Sequence, residues 1–252
     1  MFFQNHEQSH AHSLETLNWL YEHDDFMLSV DTLIDLGCGA GLDLEWWATR
    51  TTRDENPIPL NISCTGVDVA DSLSVAHRYP NIVYQRNNFE NQIHLTKKKK
   101  YDVLWCHDAF QYAINPLSTL KLWWEIAEPG AMLCLILPQT TNLEHRRLSF
   151  IQPNGCYYHY SIVNLIHMLA VSGWDCNSGF FKKSPIDPWL HAVVYRSDTG
   201  PQDTATTSWY QLAEQNLLPK SAADSVQRHG YVDQRELVLP WLDKNLTWFG
   251  QH

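Results

Sequence analysis

The sequence predicts a doubly wound α/β fold: a mostly parallel seven-stranded sheet with an antiparallel hairpin at one edge and helices on both faces. Three observations predict it. Short apolar runs alternate with helical patterns at the spacing of strand–helix–strand units. A glycine-rich stretch, Gly37-Cys38-Gly39-Ala40-Gly41, follows the first of these runs and opens a helix. Near residue 180 two further strand-like runs follow one another with no helix between them, which makes them an antiparallel pair.

In chain order, Leu14, Leu17, Leu20 and Tyr21 recur at three- and four-residue spacing and predict an amphipathic helix ahead of the sheet. Residues 32–36 form the first strand, and residues 42–49 the helix beyond the glycines. Strands follow at 63–67, 82–85 and 101–106. A helix over 117–127 stops at Glu128-Pro129-Gly130, and 131–137 form a fifth strand. Residues 161–171 have a helical pattern closed by Gly173, and the edge pair lies at 179–182 and 191–195. A linker rich in Thr, Asp and Gly over 198–207 leads to residues 208–252, where Trp, Leu and Tyr resume helical spacing. That tail is too apolar for disorder. The chain thus divides into a domain over 1–200 with its N-terminal helix and an extension over 201–252, expected to pack on the domain or on a partner subunit in a homo-oligomer.

At 252 residues, 44% hydrophobic and 18% charged, the chain can bury a substantial core. Its net charge of −10 repels phosphate backbones, so a nucleic-acid partner is not expected, and the run Lys97 to Lys100 reads as a solvated loop. Six cysteines are widely spaced without a Cys-x-x-Cys, which gives neither a zinc pattern nor a disulfide framework. No metal is expected. Residues 131–137, the longest clean apolar run, are too short to span a bilayer, and the N-terminus lacks the basic and apolar regions of a signal peptide. These features predict a cytoplasmic protein with no membrane partner. The pairs Trp46-Trp47 and Trp123-Trp124 fall in helices that cover the sheet and read as core packing.

A strand–glycine loop–helix lets a ligand approach the main chain, and two cofactor classes use it: dinucleotides through G-x-G-x-x-G and S-adenosylmethionine through G-x-G-x-G. Here Leu42 stands where a dinucleotide site has its third glycine, and Gly41 is present, so the spacing favours the second class. A tight turn with no ligand is the alternative. Asp68, at the end of the second strand, is placed beside the loop, where a carboxylate accepts from both hydroxyls of a ribose. An Asp capping the next helix is the competing reading there. Val69 gives an adenine ring an apolar neighbour.

Ile34-Asp35-Leu36-Gly37-Cys38-Gly39-Ala40-Gly41, Gly66-Val67-Asp68 and Tyr101-Asp102-Val103-Leu104-Trp105-Cys106 occur in the order of class I S-adenosylmethionine-dependent methyltransferases. Glu128-Pro129-Gly130-Ala131 resembles that family's Pro-Gly-Gly turn, and the stretch from Tyr160 to Gly173-Trp174 resembles a helix of its small-molecule branch. The likeness covers roughly residues 30–200. It implies that Asp35 and the backbone of Gly37, Cys38, Gly39 and Gly41 hold the methionine portion of S-adenosylmethionine. It further implies that Asp68 holds the ribose, Asn88 the adenine amino group with Phe89 beside the ring, and Cys106 and His107 the amino-acid end. Asn88 departs from the family's Asp, but an amide oxygen still accepts from an amino group.

Methyl transfer from a sulfonium needs an oriented nucleophile, exclusion of water and, for some acceptors, removal of a proton. The resemblance turns His107, Asp108, Gln111 and Tyr112 towards the substrate, with His107 titratable near neutrality. His107 as a hydrogen-bonded wall of the cofactor pocket is the competing role. Further candidates for substrate contact are His145 and Arg146, with Arg147 beside them, and Tyr158 and His159 in the long connection after the fifth strand. The motifs of nucleic-acid amino- and cytosine-methylating enzymes are missing from the sequence, which together with the acidic charge points to a small-molecule acceptor, with a protein substrate as the alternative. The expected activity is methyl transfer to an oxygen or nitrogen of the small molecule. A non-catalytic cofactor-binding or assembly protein on the same fold is the second reading, and a nicotinamide-dependent oxidoreductase, disfavoured by Leu42, the third.

Overall fold

The computed structural model describes residues 6–23, 25–70, 78–91, 99–139, 157–183 and 189–240. Among these, seven strands form one sheet in the order β3-β2-β1-β4-β5-β7-β6. They are β1 Thr32–Leu36, β2 Ser63–Asp68, β3 Ile82–Arg86, β4 Tyr101–His107, β5 Ala127–Pro138, β6 Trp174–Lys183 and β7 Trp189–Arg196. The first five run parallel, and β7 pairs antiparallel with both β5 and β6. This is the doubly wound α/β sheet with an antiparallel edge.

The helices are α1 His6–His23, α2 Leu42–Ala48, α3 Pro116–Ile126, α4 Ile162–Val171, α5 Trp209–Glu214 and α6 Lys220–His229. Their starts follow from local chemistry. Pro116 opens α3 behind the Asn115 cap, and Ser161 and Ser208 close capping boxes with Asn164 and Gln211 at the heads of α4 and α5.

Because side chains alternate along a strand, each central strand feeds two cores. Ile34, Leu104, Cys106, Leu133 and Leu135 join α3, α4 and the 208–240 segment on one face. Leu33, Val103, Trp105, Met132 and Cys134 join α1 and α2 on the other. Trp47 and Trp123 are fully buried in these cores, while Trp124 carries the Arg196 guanidinium 3.8 Å above its ring. The segment after residue 208 lies against the outer strand: Cys176 N–H donates to Leu217 O and Phe181 N–H to Pro240 O. Those bonds occupy part of an edge that would otherwise present unpaired backbone groups.

Two elements differ from the sequence expectation. β5 begins at Ala127 rather than at residue 131, because Ala127 pairs with Tyr101 before the register shifts and pairing resumes at Met132 with Val103. Gly130, at φ 74°, makes the Pro-Gly turn a kink inside the strand instead of a break before it. β6 begins at Trp174 rather than at residue 179, with an irregularity between Asp175 and Phe180 that hides its first half from a period-two pattern. Among the described residues no helix is long and apolar enough to cross a membrane, and the described cysteines, 38, 64, 106, 134 and 176, are free thiols.

Candidate functional site

The order of the sheet fixes where a ligand goes. From β1 the chain moves outwards to β2 and β3, then returns to place β4 on the other side of β1. Connections therefore diverge at the carboxyl ends of β1 and β4 and leave a crevice between them. A cavity of about 440 Å³ opens there, lined by the glycine loop, Asp35, Asp43, Asp68, Phe89, His107 and Asp108 among others.

The loop is held open by backbone bonds. Gly37 and Cys38 N–H both donate to Val67 O, and Gly41 N–H closes a turn on Cys38 O. Gly37 has φ 91°, and a Cβ there would lie 2.2 Å from that of Ala109, so only glycine lets the loop pass under the turn after β4. Asp68 anchors the rim: Oδ2 accepts from Gly39 N–H at 2.8 Å and Oδ1 from Ala70 N–H at 2.8 Å. Each oxygen keeps a lone pair for a further donor. Beyond it, Val69 and Phe89 line the cavity. Phe89 is set by Trp123 Nε1–H, which donates to its carbonyl at 3.1 Å. A shallower hollow of about 290 Å³ adjoins this end, sharing Val69, Phe89 and Tyr112 and adding Asn88 and Tyr157.

On the other side of the cavity the wall is built from side chains. Asp43, buried in the first turn of α2, accepts from four donors. His10 Nδ1 and Ser13 Oγ of α1 each lie 2.6 Å from Oδ1, while Trp105 Nε1 and His107 Nδ1 lie 2.9 and 3.1 Å from Oδ2. Burial by itself would raise this carboxyl, but the bonds from His10, His107 and Ser13 outweigh it and hold its pKa well below the usual range. Asp35 receives no such compensation: burial, reinforced by Asp43 and Asp68, pushes it well above the usual carboxylate range. His107 is pulled down by burial and lifted more strongly by Asp43 and Asp108, for a net rise. Asp108, at φ 51°, holds a conformation that side chains rarely adopt.

The sequence-predicted residues separate into groups. Asp35, Gly37, Cys38, Gly39, Gly41, Asp68, Val69, Phe89, His107 and Tyr112 all line the larger cavity. Asn88 lies at the adjoining hollow, and its Oδ1 accepts from Glu90 N–H at 2.9 Å. The side chain of Cys106 is fully buried in the core on the α3 side, so only its backbone is left for the role of a cofactor contact. The reason is parity: Trp105 and His107 face α2, and the residue between them faces away. Gln111 is fully buried and lines neither cavity; its Nε2 donates to Asp108 Oδ1 at 2.6 Å, and its carbonyl accepts from Tyr157 and Tyr158 N–H. Tyr158 donates its hydroxyl to Ile114 O, and neither it nor the half-buried His159 lines either of these two cavities. His145, Arg146 and Arg147 lie outside the described residues.

Sequence reasoning missed His10, Ser13 and Asp43. A signal exists in hindsight. His10, Ser13, Leu14 and Leu17 share one helical stripe, and Asp43, Trp46 and Trp47 share another, so each polar residue continues an apolar face.

Residues 34–135, the span from β1 into β5 that contains the glycine loop, Asp43, Asp68 and His107, match a family model described as a methyltransferase domain. Over this span the chain resembles a methyltransferase domain. Solved methyltransferase structures superpose on it. An O-methyltransferase family protein from Burkholderia thailandensis has a TM-score of 0.56 at 13% identity, over 73% of this chain and 56% of its own. A proposed S-adenosylmethionine-dependent methyltransferase from Listeria monocytogenes scores 0.55 at 16% identity, over 75% of this chain and 99% of its own. The 1,6-didemethyltoxoflavin N1-methyltransferase of Burkholderia thailandensis, solved with that heterocycle and S-adenosylhomocysteine, scores 0.51 at 12% identity, over 79% and 92%. At such identities the likeness establishes the fold alone. The chain spans little more than half the length of the first of these. No curated protein matches the sequence.

Proposed function

We propose that the protein is a class I methyltransferase that binds S-adenosylmethionine at the glycine loop and transfers its methyl group to an oxygen or nitrogen of a small molecule. The observation that carries the reading is the cavity at the β1–β4 switch point, where a backbone-built loop meets Asp68 at one end and His107 at the other. The residues fit the cofactor. Asp68 offers lone pairs to the two ribose hydroxyls, with Val69 and Phe89 flanking the ring and the Asn88 amide near its amino group. Asp35, a buried carboxyl with raised pKa, gains a cationic partner in the methionine ammonium. When bound, the cofactor supplies an electrophilic methyl group on a sulfonium.

The protein's part is orientation and exclusion of water. The described lining carries the carboxylates Asp35, Asp43, Asp68 and Asp108 and no Lys or Arg. That field favours a cationic donor and disfavours an anionic acceptor. In this reading Tyr112, which lines both cavities, contacts the acceptor, and the bond from Gln111 to Asp108 supports a role for Gln111 behind it. A small acceptor accords with the solved neighbour that holds a heterocycle beside S-adenosylhomocysteine. Calorimetric titration separates the cofactor classes: S-adenosylhomocysteine is expected to bind more tightly than about 1 mM and NAD not to bind. Binding of NAD alone would overturn the reading.

A further inference from the structure

Asp43 is an ionised carboxylate and therefore only accepts hydrogen bonds. The imidazole nitrogen 3.1 Å from it, His107 Nδ1, must then carry its proton. In the neutral ring this leaves Nε2 with a bare lone pair. That atom is buried, has no hydrogen-bond partner among the described residues, and belongs to a side chain lining the cavity. A buried acceptor with no donor is costly unless a ligand supplies one.

The three other donors on Asp43 explain why the arrangement holds. His10 and Ser13 reach it from α1 and Trp105 from β4, so the carboxylate is fixed from two other elements before any ligand arrives. The edge of the His107 ring meets Trp189, with centroids 5.8 Å apart, and this restrains rotation about the Asp43 bond.

We propose that Asp43 is the positioning residue for His107, holding the Nδ1–H tautomer so that Nε2 takes a proton from the methyl acceptor, and that the acceptor is accordingly an uncharged molecule presenting an O–H or ring N–H. This rests on the methyltransferase reading above and names the acceptor chemistry of the same site. In the step, the acceptor heteroatom forms a bond to the methyl carbon while the carbon–sulfur bond breaks and its electron pair stays on sulfur. The acceptor's proton passes to Nε2, and the imidazolium so formed is held by the Asp43 carboxylate. Charge balances, since one sulfonium cation is replaced by one imidazolium cation. The titratable groups facing this pair are His10 from α1, Asp35 from β1, Cys38 from the glycine loop, Asp108 from the turn after β4 and His191 from β7, which itself faces His12 and Lys182.

Long-range proton–nitrogen NMR of the full chain labelled with ¹⁵N-histidine reads the tautomer directly, without an acceptor. On the alkaline side of its titration, His107 is expected to carry its proton on Nδ1. Asp43→Asn is expected to abolish that preference and to lower the His107 midpoint by about one unit or more. Should that variant fail to fold, His10→Ala leaves the Asp43–His107 pair intact, and Nδ1–H is expected to persist. Wild-type protein carrying the proton on Nε2, or Asp43→Asn leaving both tautomer and midpoint unmoved, would overturn the assignment. S-adenosylhomocysteine titrated into the same samples keeps the two readings apart: binding with the wrong tautomer sinks only this inference, whereas no binding sinks the methyltransferase reading beneath it. With labelled S-adenosylmethionine, phenols or ring N–H heterocycles are the expected acceptors. Turnover confined to tertiary amines or thioethers, which have no proton to give, would overturn the acceptor class.

Discussion

The two walls of the cavity are built in different ways. The cofactor wall is backbone: three glycines with positive φ, two amides sharing one carbonyl, and a carboxylate pinning an amide. The opposite wall is side chain: two histidines, a serine and an indole converge on one carboxylate from positions 30 to 64 residues away in sequence. A backbone wall tolerates little change of shape but presents the same amides whatever the neighbouring side chains. A side-chain wall sets protonation states, and those respond to pH.

The sharpest way to break the backbone wall is Gly37→Ala, which puts a side chain at an unfavourable φ and drives its Cβ into Ala109. It is expected to cost about 2–5 kcal/mol of stability by urea unfolding, the sum of strain and overpacking, and to abolish S-adenosylhomocysteine binding. Acid acts on the histidine behind the side-chain wall, His191, whose charge opposes that of His107. Burial, aided by Lys182, His107 and His12, pushes His191 down to about 3. Its folded pKa lies below the ordinary value near 6.5, so the unfolded chain binds a proton that the folded chain refuses. Stability is full above about pH 6.5 and is lost as pH falls, by at most roughly 1.4 kcal/mol per unit. His107, shifted up, has the opposite sign: its contribution is present below about pH 6.5 and is lost as pH rises through its folded pKa. Urea midpoints are therefore expected to peak in the weakly acidic to neutral range. His191→Gln, which keeps a hydrogen-bonding group for Thr16, is expected to flatten the acid limb by about 2–3 kcal/mol between roughly pH 6.5 and 4.5.

Two smaller changes sharpen the comparison at the cofactor wall. Asp68→Ala is expected to weaken S-adenosylhomocysteine by about 1.5–3 kcal/mol in calorimetry, the scale of a charge-assisted hydrogen bond. Asn88→Ala, at an exposed position, is expected to cost about 0.5–1.5 kcal/mol, the scale of a neutral one. Equal effects would mean that the carboxylate has no special part in ribose binding.

The same contrast explains what was legible in the sequence. The glycine loop is one contiguous string whose spacing reports on backbone geometry, and Asp68 ends a strand whose place beside β1 follows from the fold class. The central strands β1, β4, β5 and β7 were legible because burial on both faces leaves apolar runs, while β3 at the sheet edge showed only through its short Ile82-Val83-Tyr84 run. The full extent of β5 and β6 was not, because a kink at Gly130 and an irregularity after Asp175 interrupt the pattern while pairing continues. Asp43 escaped because the stripe it shares with Trp46 and Trp47 marks a buried face but not the partners an acid there would need; its four donors arrive only through folding. Cys106 shows the converse risk: a resemblance assigns a role to a position, while strand parity decides which way its side chain faces.

The structure of the complex with S-adenosylhomocysteine tests the central claim most directly. The account predicts the ribose hydroxyls on the Asp68 carboxylate, the adenine between Val69 and Phe89, and the sulfur directed towards His107. A nucleoside bound away from Asp68, or a sulfur turned from His107, would contradict it.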